Sequence, residues 1–160
     1  YKKIDIIVKA FSKMKNKKLV VIGDGPDFAK INKLKTENIV MLGYQKFDSL
    51  LNHMRKASAF VFAAEEDFGI IPVESQACGT PVIAYGKGGC LETVIDDSTG
   101  ILFMEQTEAA IINAVMKFEL NKTDFNPLAV RKNAKRFDEK IFREKISKFI
   151  AEKVKEFAFE

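Results

Sequence analysis

Five apolar runs of strand length alternate with segments of helical spacing, and this alternation constrains the chain more than any other feature. The runs are KLVVIG (Lys18 to Gly23), NIVMLG (Asn38 to Gly43), AFVFAA (Ala59 to Ala64), PVIAY (Pro81 to Tyr85) and GILFM (Gly100 to Met104). Unbroken apolar runs suit strands buried on both faces, whereas half-exposed strands alternate apolar with polar residues. The intervening segments predict helices. Ile4, Ile7, Val8 and Phe11 recur at helical spacing before the first run, and Phe47, Leu50, Leu51 and Met54 share one face before the third. A short polar helix is expected from Pro26 to Lys35, with proline at its start where a missing N–H costs nothing. Further helices are expected over Pro72–Cys78, ended by Gly79, and around Leu91–Ile95, and beyond Met104 the chain reads as helical.

Strands separated by helices imply a parallel sheet covered on both faces with right-handed crossovers. The expected fold is therefore α/β, a Rossmann-like three-layer sandwich, formed by residues 1–160 as a single domain. The segment Asp138–Phe157 carries Ile141, Phe142, Ile146, Phe149, Ile150, Val154 and Phe157 at three- and four-residue spacing, so its stripe should dock on protein. No apolar run approaches the roughly 20 residues that span a bilayer. The chain begins with Tyr1 rather than methionine, with an amphipathic segment under way at Ile4, which reads as a cut from something longer. Cys78 and Cys90 fit neither a metal ligand set nor a disulfide framework and point to a reducing, cytoplasmic setting. A net charge of +4, with lysines interspersed among acids, argues against nucleic acid and suits anionic ligands or peripheral contact with a membrane surface.

The stretch EEDFGIIPVESQACG places Glu66 and Glu74 on either side of a glycine and a proline, with seven residues between them. It follows the third run, and in an open parallel sheet ligands sit beyond the carboxyl ends of the strands, where loops hand over to helix N-termini. With Pro72 as the first helical residue, Glu74 falls in the first turn. The amides around Gly69, Ile70 and Ile71 then point out of the helix start and can hold a phosphate. Carboxylates repel phosphate but accept paired hydrogen bonds from a vicinal diol, so the two acids suit sugar hydroxyls. A phosphate between two sugars describes a nucleotide sugar.

This stretch resembles the Glu-x7-Glu motif of retaining GT-B glycosyltransferases of family 4. KKIDIIVKAF, LVVIGDGPD, NIVMLGY, ASAFVFAA, EDFGIIPVESQACGTPVIAYGKGGCLETV and STGILF follow in the order of that family's C-terminal, donor-binding domain. The resemblance implies that Glu66 is the catalytic residue, holding hydroxyls of the donor hexose. It implies that the amides of Phe68, Gly69, Ile70 and Ile71 hold the diphosphate, that Glu74 takes the ribose diol, and that Lys2 neutralises the diphosphate. Gly43 and Tyr44 would meet the base, largely through backbone groups. The arginine that usually precedes the lysine, and the family's N-terminal acceptor-binding domain, are absent from this chain. EDFGIIPVE and GKGGCLETV look most like mannosyltransferases of surface-glycan assembly, which implies GDP-mannose as donor and a glycan or lipid-linked acceptor. The resemblance calls for no cofactor and no divalent metal, and it implies retention of configuration and an isolated chain that binds donor without turning it over.

Blander readings stand beside these. An acid in a first helical turn favours the macrodipole by about 0.3–1 kcal/mol with no ligand at all. Gly23 and Gly25 suit a tight turn, Gly88 and Gly89 a turn near the donor sugar, and His53 sits in mid-helix among polar neighbours. Two acids can also flank a glycosidic bond about 5–9.5 Å apart, but a glycosidase leaves the phosphate cradle without purpose. A non-catalytic nucleotide-sugar-binding module and a nucleotide-sugar epimerase of GT-B architecture are the alternatives.

Overall fold

The computed structural model describes residues 1–158. Eight α-helices and five strands follow in the order α1 (Ile4–Lys13), β1 (Leu19–Val21), α2 (Phe28–Asn32), β2 (Ile39–Met41), α3 (Phe47–Lys56), β3 (Phe60–Phe62), α4 (Ile70–Ala77), β4 (Val82–Tyr85), α5 (Cys90–Thr93), β5 (Gly100–Phe103), α6 (Glu108–Leu120), α7 (Pro127–Ala134) and α8 (Glu139–Ala158). Two 3-10 turns, Lys122–Asp124 and Lys135–Phe137, precede α7 and α8.

All pairings are parallel. Leu19 to Val21 register against Ile39 to Met41, Phe60 to Phe62 against Val82 to Ala84, and Val82 to Tyr85 against Gly100 to Phe103. The single sheet expected from the sequence is split into two hydrogen-bonded pieces, β1-β2 and β3-β4-β5. One core nevertheless spans both, because Ile83, Tyr85, Ile101 and Phe103 pack in the same cluster as Ile7, Val8 and Phe11 of α1, Ile39 of β2, and Ile111, Val115 and Phe118 of α6.

The unbroken apolar runs are explained by burial on two faces. Alternate residues of β4 divide between the two sides of the sheet: Ile83 and Tyr85 join the α1/α6 cluster, and Val82 and Ala84 join Phe62, Ala64, Cys90 and Val94 on the other. Fully burying a side chain such as Ile83, Ile101 or Ile111 contributes about 1.5–3 kcal/mol. Polar residues then mark the boundaries. The Thr107 hydroxyl accepts from the Ala110 amide at the start of α6 (3.2 Å), and the Asn126 side chain accepts from Leu128 (2.8 Å) ahead of Pro127, the first residue of α7.

A further sequence expectation is corrected. Helix α4 opens at Ile70 and not at Pro72, with Gly69 as its N-cap at φ 76°. Pro72 is its third residue, where the amide still lacks an intrahelical acceptor and proline therefore remains tolerated. Glu74 consequently falls outside the first turn, which holds no acid. Helix α8 forms as expected, and among the described residues its stripe has no protein to dock on: Phe142, Phe149, Ile150, Val154 and Phe157 are all exposed. Its contacts with the described chain run mainly through the 3-10 turn Lys135–Phe137 just before it.

Candidate functional site

The loop from Ala63 to Gly69 leaves the carboxyl end of β3 and enters α4. Helix α1 precedes β1, and a helix antiparallel to the strand it feeds begins at that strand's carboxyl end, so Tyr1 and Lys2 reach the same edge. Tyr1, Lys2, Glu65, Glu66, Asp67, Phe68, Gly69, Ile70 and Ile71 line one open cleft there.

Lys2 and Glu66 form an ion pair and hydrogen bond across it. Partial burial opposes the charged Lys2 ammonium, but the hydrogen bonds to Glu66 and Tyr1 and the charge of Glu66 outweigh it and raise its pKa. Glu66 also pushes up its neighbour Cys90. Burial is the larger cause and the carboxylate charge the smaller, and together they carry the thiol to about 11. Cys90 is therefore a neutral, inert side chain under the cleft.

Among the described residues no backbone hydrogen bond engages the amides of Phe68, Gly69, Ile70 and Ile71. The positive φ of Gly69 turns the chain from the loop into the helix, a conformation that L side chains rarely adopt. Phe68 to Ile71 line the cleft, and the positive end of the α4 dipole lies at their amides.

The GKGG loop holds this segment from behind. Gly89 donates to the Glu66 carbonyl (2.8 Å). A methyl group on Gly88 would strike the Glu66 backbone, and one on Gly89 would strike the Phe68 backbone. The two glycines were legible in sequence as a turn, and their close approach to the acid-bearing loop is a tertiary fact. On the sheet side, Gln106 donates its Nε2 to the Ala63 carbonyl (2.8 Å).

The other site candidates lie apart from the cleft. Glu74 is exposed and lines a neighbouring groove between α3, α4 and α7, with Phe47, Leu50, Leu51, Met54, Arg55, Ala77, Cys78 and Arg131. Gly43 and Tyr44 follow β2 at the carboxyl end of the β1-β2 piece. The Gly43 carbonyl accepts from Gly23 (2.8 Å), and Tyr44 stands 77% exposed. The structure thus brings Lys2, Glu66, Phe68, Gly69, Ile70 and Ile71 together along one cleft, while Glu74 lines the neighbouring groove.

The sequence reading missed a buried polar assembly beneath α4. Gln76 donates to the carbonyls of Thr93 (2.9 Å) and Pro72 (3.3 Å), while its Oε1 accepts from Asn133 (2.7 Å). Asn133 donates to Thr93 as well (2.8 Å). A glutamine and an asparagine separated by 57 positions carry no sequence signal of this pairing.

A sequence profile of the family described as Glycosyl transferases group 1 matches residues 1–141. An uncharacterised glycosyltransferase of Methanocaldococcus jannaschii is 35% identical over 154 residues, covering 90% of this chain and 42% of the relative. A GDP-mannose-dependent monoacylated alpha-(1-6)-phosphatidylinositol monomannoside mannosyltransferase of Corynebacterium glutamicum is 33% identical over 95 residues, covering 52% of this chain and 25% of the relative. The crystal structure of Anabaena HepE in complex with UDP and glucose superposes with a TM-score of 0.79 at 21% identity, over 94% of this chain and 45% of that one. The chain thus spans less than half the length of each of these relatives.

Proposed function

The chain belongs to the group 1 glycosyl transferases, and from that premise we propose that it is the donor-binding half of a GT-B enzyme that moves a hexose from a nucleoside diphosphate sugar to a glycan or lipid-linked acceptor. One observation carries the reading: a cation, a carboxylate and a row of unengaged amides at a helix N-terminus share one cleft. Each matches one part of such a donor. The amides of Phe68 to Ile71 and the Lys2 ammonium meet the diphosphate, and Glu66 accepts hydrogen bonds from hexose hydroxyls.

Glu74 takes the ribose diol in this reading. A ligand that satisfies both acids has to extend past Ile70 and Ile71, as a hexose–diphosphate–ribose chain does, and Gly43 and Tyr44 at the end of β2 then meet the base. The reaction breaks the bond between the anomeric carbon and the diphosphate oxygen as the acceptor hydroxyl oxygen bonds to that carbon from the same face, with retention, and the hydroxyl proton passes to the departing diphosphate. Charge grows on the departing diphosphate, and donors already oriented toward it lower the barrier without reorganising. The acceptor is held by an N-terminal domain of the same protein.

In the free protein Lys2 is occupied by Glu66. A diphosphate competes for the same ammonium, so its arrival frees the carboxylate for sugar hydroxyls. We assign the donor as GDP-mannose, supported by the family resemblance of EDFGIIPVE and by the GDP-mannose-dependent relative. Calorimetric titration of the chain with GDP-, UDP- and ADP-sugars tests the assignment. Saturable heat is expected with GDP-mannose, heat from another sugar alone moves the donor, and silence across the panel overturns the donor site.

A further inference from the structure

Phe68 is the one aromatic residue of the cleft loop, and its two supports differ in kind. Gly89 presses against its backbone. Its ring meets Phe137 edge-on, with centroids 5.5 Å apart and planes at 71°. Phe137 comes from the 3-10 turn Lys135–Phe137, 69 positions along the chain and outside the donor loop altogether.

That turn is itself anchored. The Arg136 guanidinium lies 5.1 Å from the centre of the Phe137 ring. It donates Nη1 to the Asn133 side-chain oxygen (2.9 Å) and Nη2 to the Glu92 carbonyl (3.2 Å). Asn133 is buried and bonded to Gln76, whose Nε2 donates to Pro72 in the first turn of α4. The ring that touches Phe68 is therefore fixed to the same helix whose N-terminus Phe68 precedes. Nothing in the donor chemistry requires an aromatic residue at 137, and no part of the proposed reaction uses it.

We propose that Phe137 is a positioning residue: through its edge-on contact with Phe68 it holds the segment Glu66–Gly69 in the conformation that presents Glu66 and the free amides to a nucleoside diphosphate sugar. The proposal deepens the donor-site reading and rests on it for the identity of the ligand. The positioning itself is observable without a ligand, because the Gly89 amide is bonded to the Glu66 carbonyl and exchanges only when the loop lifts.

The test compares the chain with Phe137→Ala, Phe137→Leu and Phe137→Tyr by amide hydrogen exchange and by titration with GDP-mannose. An aromatic pair of this geometry implies exchange at Gly89 about two- to twelvefold faster in Phe137→Ala, with the amides of Ile83 and Ala84 unchanged. Affinity for GDP-mannose should fall by a similar factor, and Phe137→Tyr, which keeps the ring edge, should restore both. If Phe137→Ala does not fold, Phe137→Leu retains apolar volume without the ring and serves as the comparison. Exchange at Gly89 equal to the parent chain, or acceleration shared by Ile83 and Ala84, overturns the proposal. A parent chain that binds no nucleotide sugar defeats the donor reading instead, and the exchange at Gly89 still decides whether Phe137 holds the loop.

Discussion

At the scale of single residues, the Lys2–Glu66 pair would make the two ligand contacts of the proposed donor site interdependent. Glu66→Gln should abolish hexose recognition while tightening free GDP, because Lys2 is released; a pair this exposed is worth about 0.2–1 kcal/mol, so the gain should be at most about fivefold. Titration of the variant with GDP and with GDP-mannose separates the two effects, and equal losses for both ligands would remove Glu66 from the sugar side. Cys90 supplies a second residue-scale expectation. Its thiol is raised from 9.0 to about 11 in the folded chain, so the stability it contributes is complete below pH 9 and is lost as pH rises toward 11. That gap corresponds to roughly 3 kcal/mol. The raised ammonium of Lys2 acts in the same direction above its ordinary 10.5. Denaturant midpoints measured through this window should fall steeply in the parent chain and less in Cys90→Ala. A flat profile in both would show that the thiol titrates as it does in water.

At the scale of elements, α4 depends on neighbours that its own sequence does not specify. Its N-terminus is shaped by Gly69, and its underside is held by Gln76, a polar side chain with no exposed surface that bonds to Thr93, Pro72 and Asn133. Gln76→Leu leaves those buried groups short of a partner and should cost about 1–3 kcal/mol, readable as a lower urea midpoint with unchanged slope. Gly89→Ala acts from the other side of the loop. Its methyl group meets the Phe68 backbone, which is not a flexible side chain that can move aside. Overpacking of this kind costs about 1–3 kcal/mol, and donor affinity should fall further than stability does. A Gly89→Ala chain that binds GDP-mannose as the parent does would show that the loop has another support. The expectation that Pro72 starts α4 failed here for a local reason: proline is accepted anywhere in the first turn, so its presence brackets a helix start without choosing the residue.

At the scale of the whole molecule, the conspicuous feature is α8. Twenty residues form a helix whose apolar side, including Phe142, Phe149 and Phe157, faces away from the core. Its charged side is stitched by Arg143–Glu139 and Lys153–Glu156 pairs, which support the helix without covering the stripe. Exposed apolar surface of this extent favours association. The 160-residue chain should therefore sediment as a concentration-dependent oligomer, and Ile150→Glu should return it toward monomer. A monomeric parent chain at high concentration would show that the stripe is too dispersed to pair. No described helix is long and apolar enough to cross a membrane.

Sequence alone determined the order of elements and the parallel pairing, because burial on both faces requires unbroken apolar runs and parallel strands require the helices between them. It also determined which loop carries the candidate chemistry: Glu66, Gly69 and the start of α4 are consecutive, and consecutive residues cannot avoid sharing a place. What tertiary structure decided is everything that depends on distant segments meeting. Lys2 reached Glu66, Gly88 and Gly89 closed on the loop from behind, Phe137 came to rest on Phe68, and Glu74 turned to a separate groove. These contacts join residues whose separation along the chain leaves no periodicity to read, and their energies depend on distance and burial that only the packed molecule supplies.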